Sequence, residues 1–114
     1  MSEARQGEVW FVDLEPTLGR EQPGRRPAVV VSVDELGTGP SDMAIVVPLT
    51  TRASENPIRV QIDPPEGGVR EPSWAMPEMV RSIDRGRLVE CWGSLDPSSL
   101  GAITARVRLL VRSP

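Results

Sequence analysis

Residues 27–33 read Pro27-Ala28-Val29-Val30-Val31-Ser32-Val33, and residues 44–49 read Ala44-Ile45-Val46-Val47-Pro48-Leu49. Both runs are short, apolar and rich in β-branched side chains. That is the pattern of strands buried in a sheet rather than of helices. Proline has no N–H to give to a ladder. Pro27 is therefore tolerable only at the start of its strand, and Pro48 marks an edge or a bulge near the end of the other.

Working outward, Gly7–Asp13 (Gly-Glu-Val-Trp-Phe-Val-Asp) reads as a preceding strand. Leu14–Arg26 contains Pro16, Gly19, Pro23 and Gly24 and has no apolar periodicity. It reads as a loop of about a dozen residues, a length that usually serves function in a compact domain. Asp34–Asp42 is a turn-rich connector, Thr50–Pro57 a polar loop, and Ile58–Ile62 alternates like a half-exposed strand. Asp63–Gly68 (Asp-Pro-Pro-Glu-Gly-Gly) is a turn. Ser73–Ser82 reads as a strand interrupted at Pro77, and Arg87–Gly93 as a further one.

Asp96 as N-cap and Pro97 at the first helical position then start a helix. Leu100, Ile103, Val107 and Leu110 recur along it at helical spacing and form the face that packs on the sheet. The expected fold is mainly β with a C-terminal helix, a small β-barrel or half-open sheet.

With 114 residues, 39% hydrophobic and 25% charged, the chain is the size of a single domain, expected to span 1–114. No apolar run approaches the roughly 20 residues of a membrane span. Met1–Gln6 lack the apolar core of a signal peptide. Cys91 is the only cysteine, which suits a reducing cytoplasm, reads as a buried strand residue and excludes zinc-ribbon spacings. The chain has no histidine, which excludes histidine acid–base catalysis, Ser-His-Asp triads and His-rich metal sites. What remains for chemistry is carboxylate, arginine, hydroxyl and backbone amide. All 13 basic residues are arginine and the net charge is −3. The guanidinium fork suits phosphate, whereas the acidic total argues against a nucleic-acid partner unless the arginines cluster.

Three segments together resemble the MazF/PemK family of toxin endoribonucleases. The first is Gly7-Glu8-Val9-Trp10-Phe11-Val12-Asp13-Leu14-Glu15-Pro16 continuing through Gly19-Arg20-Glu21-Gln22-Pro23-Gly24-Arg25-Arg26-Pro27 into the next strand. The second is Ile45-Val46-Val47-Pro48-Leu49-Thr50-Thr51, and the third Val80-Arg81-Ser82-Ile83-Asp84-Arg85-Gly86-Arg87-Leu88. The resemblance implies an SH3-like barrel with a C-terminal helix. It also implies a cytoplasmic homodimer that cleaves single-stranded RNA without metal or cofactor. Its partner would be an antitoxin whose disordered acidic tail blocks the RNA groove. A toxin of the same fold that binds gyrase without nuclease activity, as CcdB-like proteins do, is the alternative, and fold alone does not separate the two.

Metal-free RNA cleavage uses the neighbouring 2′-hydroxyl as nucleophile and leaves a 2′,3′-cyclic phosphate and a 5′-hydroxyl. The enzyme must neutralise the phosphate oxygens, protonate the departing 5′-oxygen and help remove the 2′ proton. By the resemblance, Arg26 and Thr50 are the catalytic pair. An arginine is a poor general base at neutral pH, so Glu21 is the carboxylate considered for that role, alongside a purely loop-shaping one. Arg20, Gln22, Arg25, Thr51, Ser73, Glu78 and Arg81 fall where RNA contacts are expected. Arg20 and Met79 depart from the family's pattern, which puts the recognised RNA sequence in doubt rather than the activity. Arg81, Arg85 and Arg87 join Arg20, Arg25 and Arg26 in a basic track if both segments face one groove. Of the tryptophans, Trp10 and Trp92 read as core; Trp74 is the better base-stacking candidate, although core or dimer-interface packing is the favoured reading for it too.

Overall fold

The computed structural model describes residues 4–14, 24–38 and 42–113. Among the described residues, seven strands form an antiparallel sheet that curls into a half-barrel: β1 (Glu8–Asp13), β2 (Arg25–Val30), β3 (Met43–Thr50), β4 (Val60–Ile62), β5 (Ser73–Ala75), β6 (Arg81–Asp84) and β7 (Leu88–Ser94). Their order is β4-β5-β3-β2-β1-β7, with β6 also on β3. A short helix α1 (Asp34–Thr38) precedes β3, and the long helix α2 (Pro97–Leu110) closes the chain. The mainly β fold with a C-terminal helix is the one expected.

The apolar runs of β2 and β3 lie at the centre because both their faces are covered. Ala28, Val30, Ala44 and Val46 join Trp10, Val12, Leu14 and Ile83 in one core. Val29, Val47 and Leu49 point the other way and join Val9, Ile62, Ala75, Leu95 and Ile103. Strands buried on two sides lose the polar alternation of a half-exposed strand, which is why these two read as unbroken apolar runs.

Several boundaries differ from the sequence expectation. Arg25 and Arg26 belong to β2, not to the loop before it, because Asp13 and Val12 of β1 stand opposite them. The strand stops at Val30, where the Val31 and Ser32 amides both donate to the Ile45 carbonyl, at 2.9 and 3.3 Å. The connector from Asp34 is not only turns. Its first five residues form α1, and the Asp34 carboxylate there accepts from the Gln6 amide at 2.7 Å.

The interrupted strand is borne out. β5 pairs with Leu49 and Thr50, β6 pairs with Met43–Val46, and a single 3-10 turn at Pro77–Met79 is looped out between them. The turn before β5 depends on glycine at Gly68. There φ is +74° and a Cβ would lie 2.2 Å from the Trp92 carbonyl oxygen.

Asp96 occupies the N-cap of α2 and Pro97 the first turn, but the Asp96 side chain makes no capping bond. Its backbone N–H instead donates to Glu66 Oε2 at 2.9 Å. Ile103 is buried, with Leu100 and Val107 against the same core. Leu110 is exposed although it shares their face, so the helix runs past the sheet. Cys91 is exposed, not buried. It lies on β7, which ends the sheet and has few covered side chains. Partial desolvation of the thiol, the nearby Glu8 carboxylate and a hydrogen bond to that carboxylate push its pKa up against an opposing backbone hydrogen bond with Gly93. No helix among the described residues is long and apolar enough to cross a membrane.

Candidate active site

The β2–β3 ladder pairs Ala28 with Pro48, Val29 with Val47 and Val30 with Val46. Extending that register two residues beyond Ala28 and Pro48 brings Arg26 towards Thr50. Directly opposed residues in an antiparallel pair have Cβ atoms about 5 Å apart on one face. The start of β2 and the end of β3 therefore bring a guanidinium and a hydroxyl together. Arg25, Arg26, Pro27, Leu49, Thr50, Thr51 and Ser73 line one cleft of about 250 Å³ there. Five of these are residues for which the sequence implied a role: Arg25, Arg26, Thr50, Thr51 and Ser73. Pro27 and Leu49 were not among them. They are apolar strand residues, and only the pairing brings them to the rim.

Arg26 is half-buried, and its Nη1 donates to the Leu49 carbonyl at 3.4 Å. Burial alone pushes its pKa below the ordinary arginine value. An under-solvated cation gains more from an incoming anion than a fully hydrated one does. Thr50 Oγ1 accepts the Arg52 amide at 3.2 Å, which turns the hydroxyl proton towards other acceptors. Ser73 is buried in the cleft wall and its hydroxyl donates to the Glu71 carbonyl at 2.9 Å. Trp74 is the Cα partner of Thr50 and is partly buried.

Arg25 reaches Asp13 across the ladder, Nε to Oδ2 at 3.7 Å, and Arg87 Nη1 donates to the Asp13 carbonyl at 3.2 Å. Arg25, Arg26 and Arg87 thus gather at one corner. Arg85, proposed for the same basic track, lies elsewhere. It is buried, donates to the Gly37 carbonyl and pairs with Asp42 at 3.2 Å, where it ties α1 to the start of β3.

Arg81 sits opposite Val46, four residues back along β3 from Thr50, about 13 Å at strand rise. Glu78 projects from the 3-10 turn and its Oε2 accepts from Arg59 Nε and Nη2 at 2.9 and 2.7 Å. Neither Glu78 nor Arg81 lines the cleft. Arg20, Glu21 and Gln22 fall outside the described residues. No group of three Asp, Glu or Cys side chains that could hold a metal ion occurs among the described residues.

Residues 5–111 match the family model described as PemK-like, MazF-like toxin of type II toxin–antitoxin system. The chain is 32% identical over 107 residues to the endoribonuclease EndoA of Bacillus subtilis, covering 92% of this chain and 91% of that one. The crystal structure of MazF (Form-I) from Deinococcus radiodurans superposes with a TM-score of 0.88 at 25% identity, covering 99% of this chain and 100% of that one. An endoribonuclease in complex with its cognate antitoxin, from a mycobacterial species, shares the fold at a TM-score of 0.76 and 18% identity, covering 100% and 98%.

Proposed function

The chain belongs to the PemK-like, MazF-like toxin family of type II toxin–antitoxin systems, and we propose that it is an endoribonuclease toxin cutting single-stranded RNA from the cleft between β2 and β3. The single observation that carries this reading is the shared cleft of Arg26 and Thr50. The gyrase-binding alternative is not favoured, because the relatives matched along the chain are endoribonucleases.

The 2′-hydroxyl attacks the adjacent phosphorus, a P–O2′ bond forms and the P–O5′ bond breaks. Negative charge builds on the non-bridging oxygens. The Arg26 guanidinium faces that charge with a fork of donors, from a site where water screens it less. The Thr50 hydroxyl donates to the same phosphate. A protonated arginine does not accept the 2′ proton, so that proton goes to a carboxylate, for which Glu21 is the proposed residue. The proton that completes the 5′-hydroxyl comes from Arg26, whose depressed pKa suits donation. Arg25, Thr51, Ser73 and Arg87 hold the strand at the cleft. Arg20, Gln22, Glu78 and Arg81 act further along the RNA.

The same reading makes residues 1–114 one toxin domain that works in the cytoplasm as a homodimer. RNA then crosses from one protomer to the other, which is how Glu78 and Arg81, distant from the cleft of their own protomer, meet the substrate. A cognate antitoxin inhibits it by laying a disordered acidic tail along the RNA path, where carboxylates mimic phosphates. Complexes of relatives with their antitoxins support that partner.

The test is incubation of purified protein with a long single-stranded RNA in EDTA. The expected products carry 5′-hydroxyl ends, which polynucleotide kinase labels without prior phosphatase. Intact RNA after long incubation with folded protein overturns the proposal.

A further inference from the structure

β1 and β7 carry an aromatic pair that the nuclease chemistry leaves unused. Phe11 and Trp92 stack with ring centres 5.7 Å apart and planes within 9° of parallel. The Arg70 guanidinium lies over the Trp92 ring, 4.6 Å from its centre. Trp92 Nε1 donates to Glu90 Oε1 at 2.9 Å. These residues and Val89, half of whose surface is exposed, line a pocket of about 360 Å³, within the size range of small-molecule sites. Trp92 was read from the sequence as core. It only borders the core and is partly exposed.

The pocket adjoins the cleft. Phe11 is the Cα partner of Pro27, so their side chains are neighbours on one face of the sheet, and Pro27 lines the cleft. β1 and β3 are two strand spacings apart, about 10 Å. Arg26 and Thr50 alternate to the other face of the sheet, so an RNA strand held there approaches Phe11 and Trp92 by way of Arg25 and Pro27, which line the cleft on the Phe11 face.

We propose that Phe11, Trp92 and Arg70 form a base-stacking subsite, bounded by Glu90, that holds a guanine flanking the scissile phosphate. This rests on the RNA-cleavage reading above. The rings supply a flat apolar surface of the kind on which single-stranded bases stack, and Arg70 adds a planar cation that stacks on a base or meets its phosphate. Glu90 supplies the selectivity. A carboxylate accepts hydrogen bonds only, and guanine presents two adjacent donors, N1–H and the N2 amino group, along one edge. Uracil presents one N–H flanked by two carbonyl oxygens that would face the carboxylate, and adenine and cytosine each set a ring acceptor beside their amino group.

The experiment uses full-length protein and an RNA oligonucleotide with one mapped cut site, in versions made abasic at single positions on either side of the cut. Wild type loses on the order of tenfold in kcat/KM when one flanking guanine is removed, and loses as much when that guanine becomes uracil. Trp92→Leu and Arg70→Gln each lose about tenfold on the intact oligonucleotide and match wild type on the abasic one. Arg70 is exposed, so R70Q reports on the subsite even if W92L folds poorly. Glu90→Gln reduces the preference for guanine over uracil.

Binding of the same oligonucleotide carrying a 2′-deoxy nucleotide at the cut site separates the two proposals. Guanine-dependent binding without cleavage of the all-RNA version sinks the nuclease reading and leaves the subsite standing. Cleavage that no flanking abasic position slows, or that R70Q and W92L leave unchanged, overturns the subsite. Variants that weaken only the binding of an acidic antitoxin peptide, with RNA unaffected, overturn it as well.

Discussion

Replacing Arg26 by alanine removes the cation from the cleft while leaving the ladder around it intact. A unit charge about 4 Å from a phosphate oxygen is worth about 4 kcal/mol at the effective dielectric of 20 that suits a partly buried site. Losing one donor aimed at developing charge typically costs about 10²–10³-fold in rate. The half-burial of Arg26 places it in that regime. The structural cost is smaller. The bond from Nη1 to the Leu49 carbonyl is long at 3.4 Å, and a bond of this kind contributes about 0.5–1.5 kcal/mol. R26A is therefore expected to lose about 10²–10³-fold in kcat/KM and to shift the urea midpoint only slightly. Arg26→Lys keeps the charge but not the fork and falls between R26A and wild type. The assay is single-turnover cleavage of a fluorogenic oligonucleotide in EDTA, with circular dichroism to establish folding. A folded R26A within tenfold of wild type refutes the reasoning, since the charge would then not be facing the phosphate.

Thr50→Val keeps the shape and removes the hydroxyl. It is expected to slow cleavage about tenfold to a hundredfold with unchanged RNA binding, and an unaltered single-turnover rate counts against a role for that hydroxyl. Ile103→Ala empties a fully buried site beneath α2 and should cost about 2–5 kcal/mol in denaturant unfolding; a loss below 1 kcal/mol would mean that the helix does not pack there in solution. Cys91 is exposed, with its pKa pushed up by partial desolvation of the thiol and by Glu8. Its thiolate fraction at neutral pH is thus smaller than that of a free cysteine. Iodoacetamide should label it slowly at pH 7 and faster as pH rises, and Glu8→Gln should speed labelling; a rate equal to free cysteine at pH 7 contradicts this.

Much of this was legible in the sequence because the signals were local. The valine runs of β2 and β3, the Pro77 interruption and the Asp96-Pro97 helix start each depend on a few neighbouring residues. Arg26 and Thr50 came from resemblance, and the reason they meet is a register that no local pattern encodes. Long-range pairing decided the rest. Arg26 read as loop but is strand because Val12 stands across from it. Cys91 and Leu110 carry apolar labels and yet are exposed, one on the strand that ends the sheet and one in the last turn of a helix longer than its sheet. Arg85 looked like Arg87 in sequence, but its guanidinium is held by Asp42 and the Gly37 carbonyl. The Phe11–Trp92 pair was invisible because its members lie far apart in the chain and meet only when β7 closes onto β1.

The most direct test is a double-mutant cycle on Arg26→Ala and Thr50→Val, read as kcat/KM for RNA cleavage in EDTA. Two groups acting on one phosphate function as a unit, so the double variant should be little worse than R26A alone, with a coupling of at least about 1 kcal/mol. Losses that simply multiply, with no coupling, would mean that the guanidinium and the hydroxyl do not serve the same phosphate.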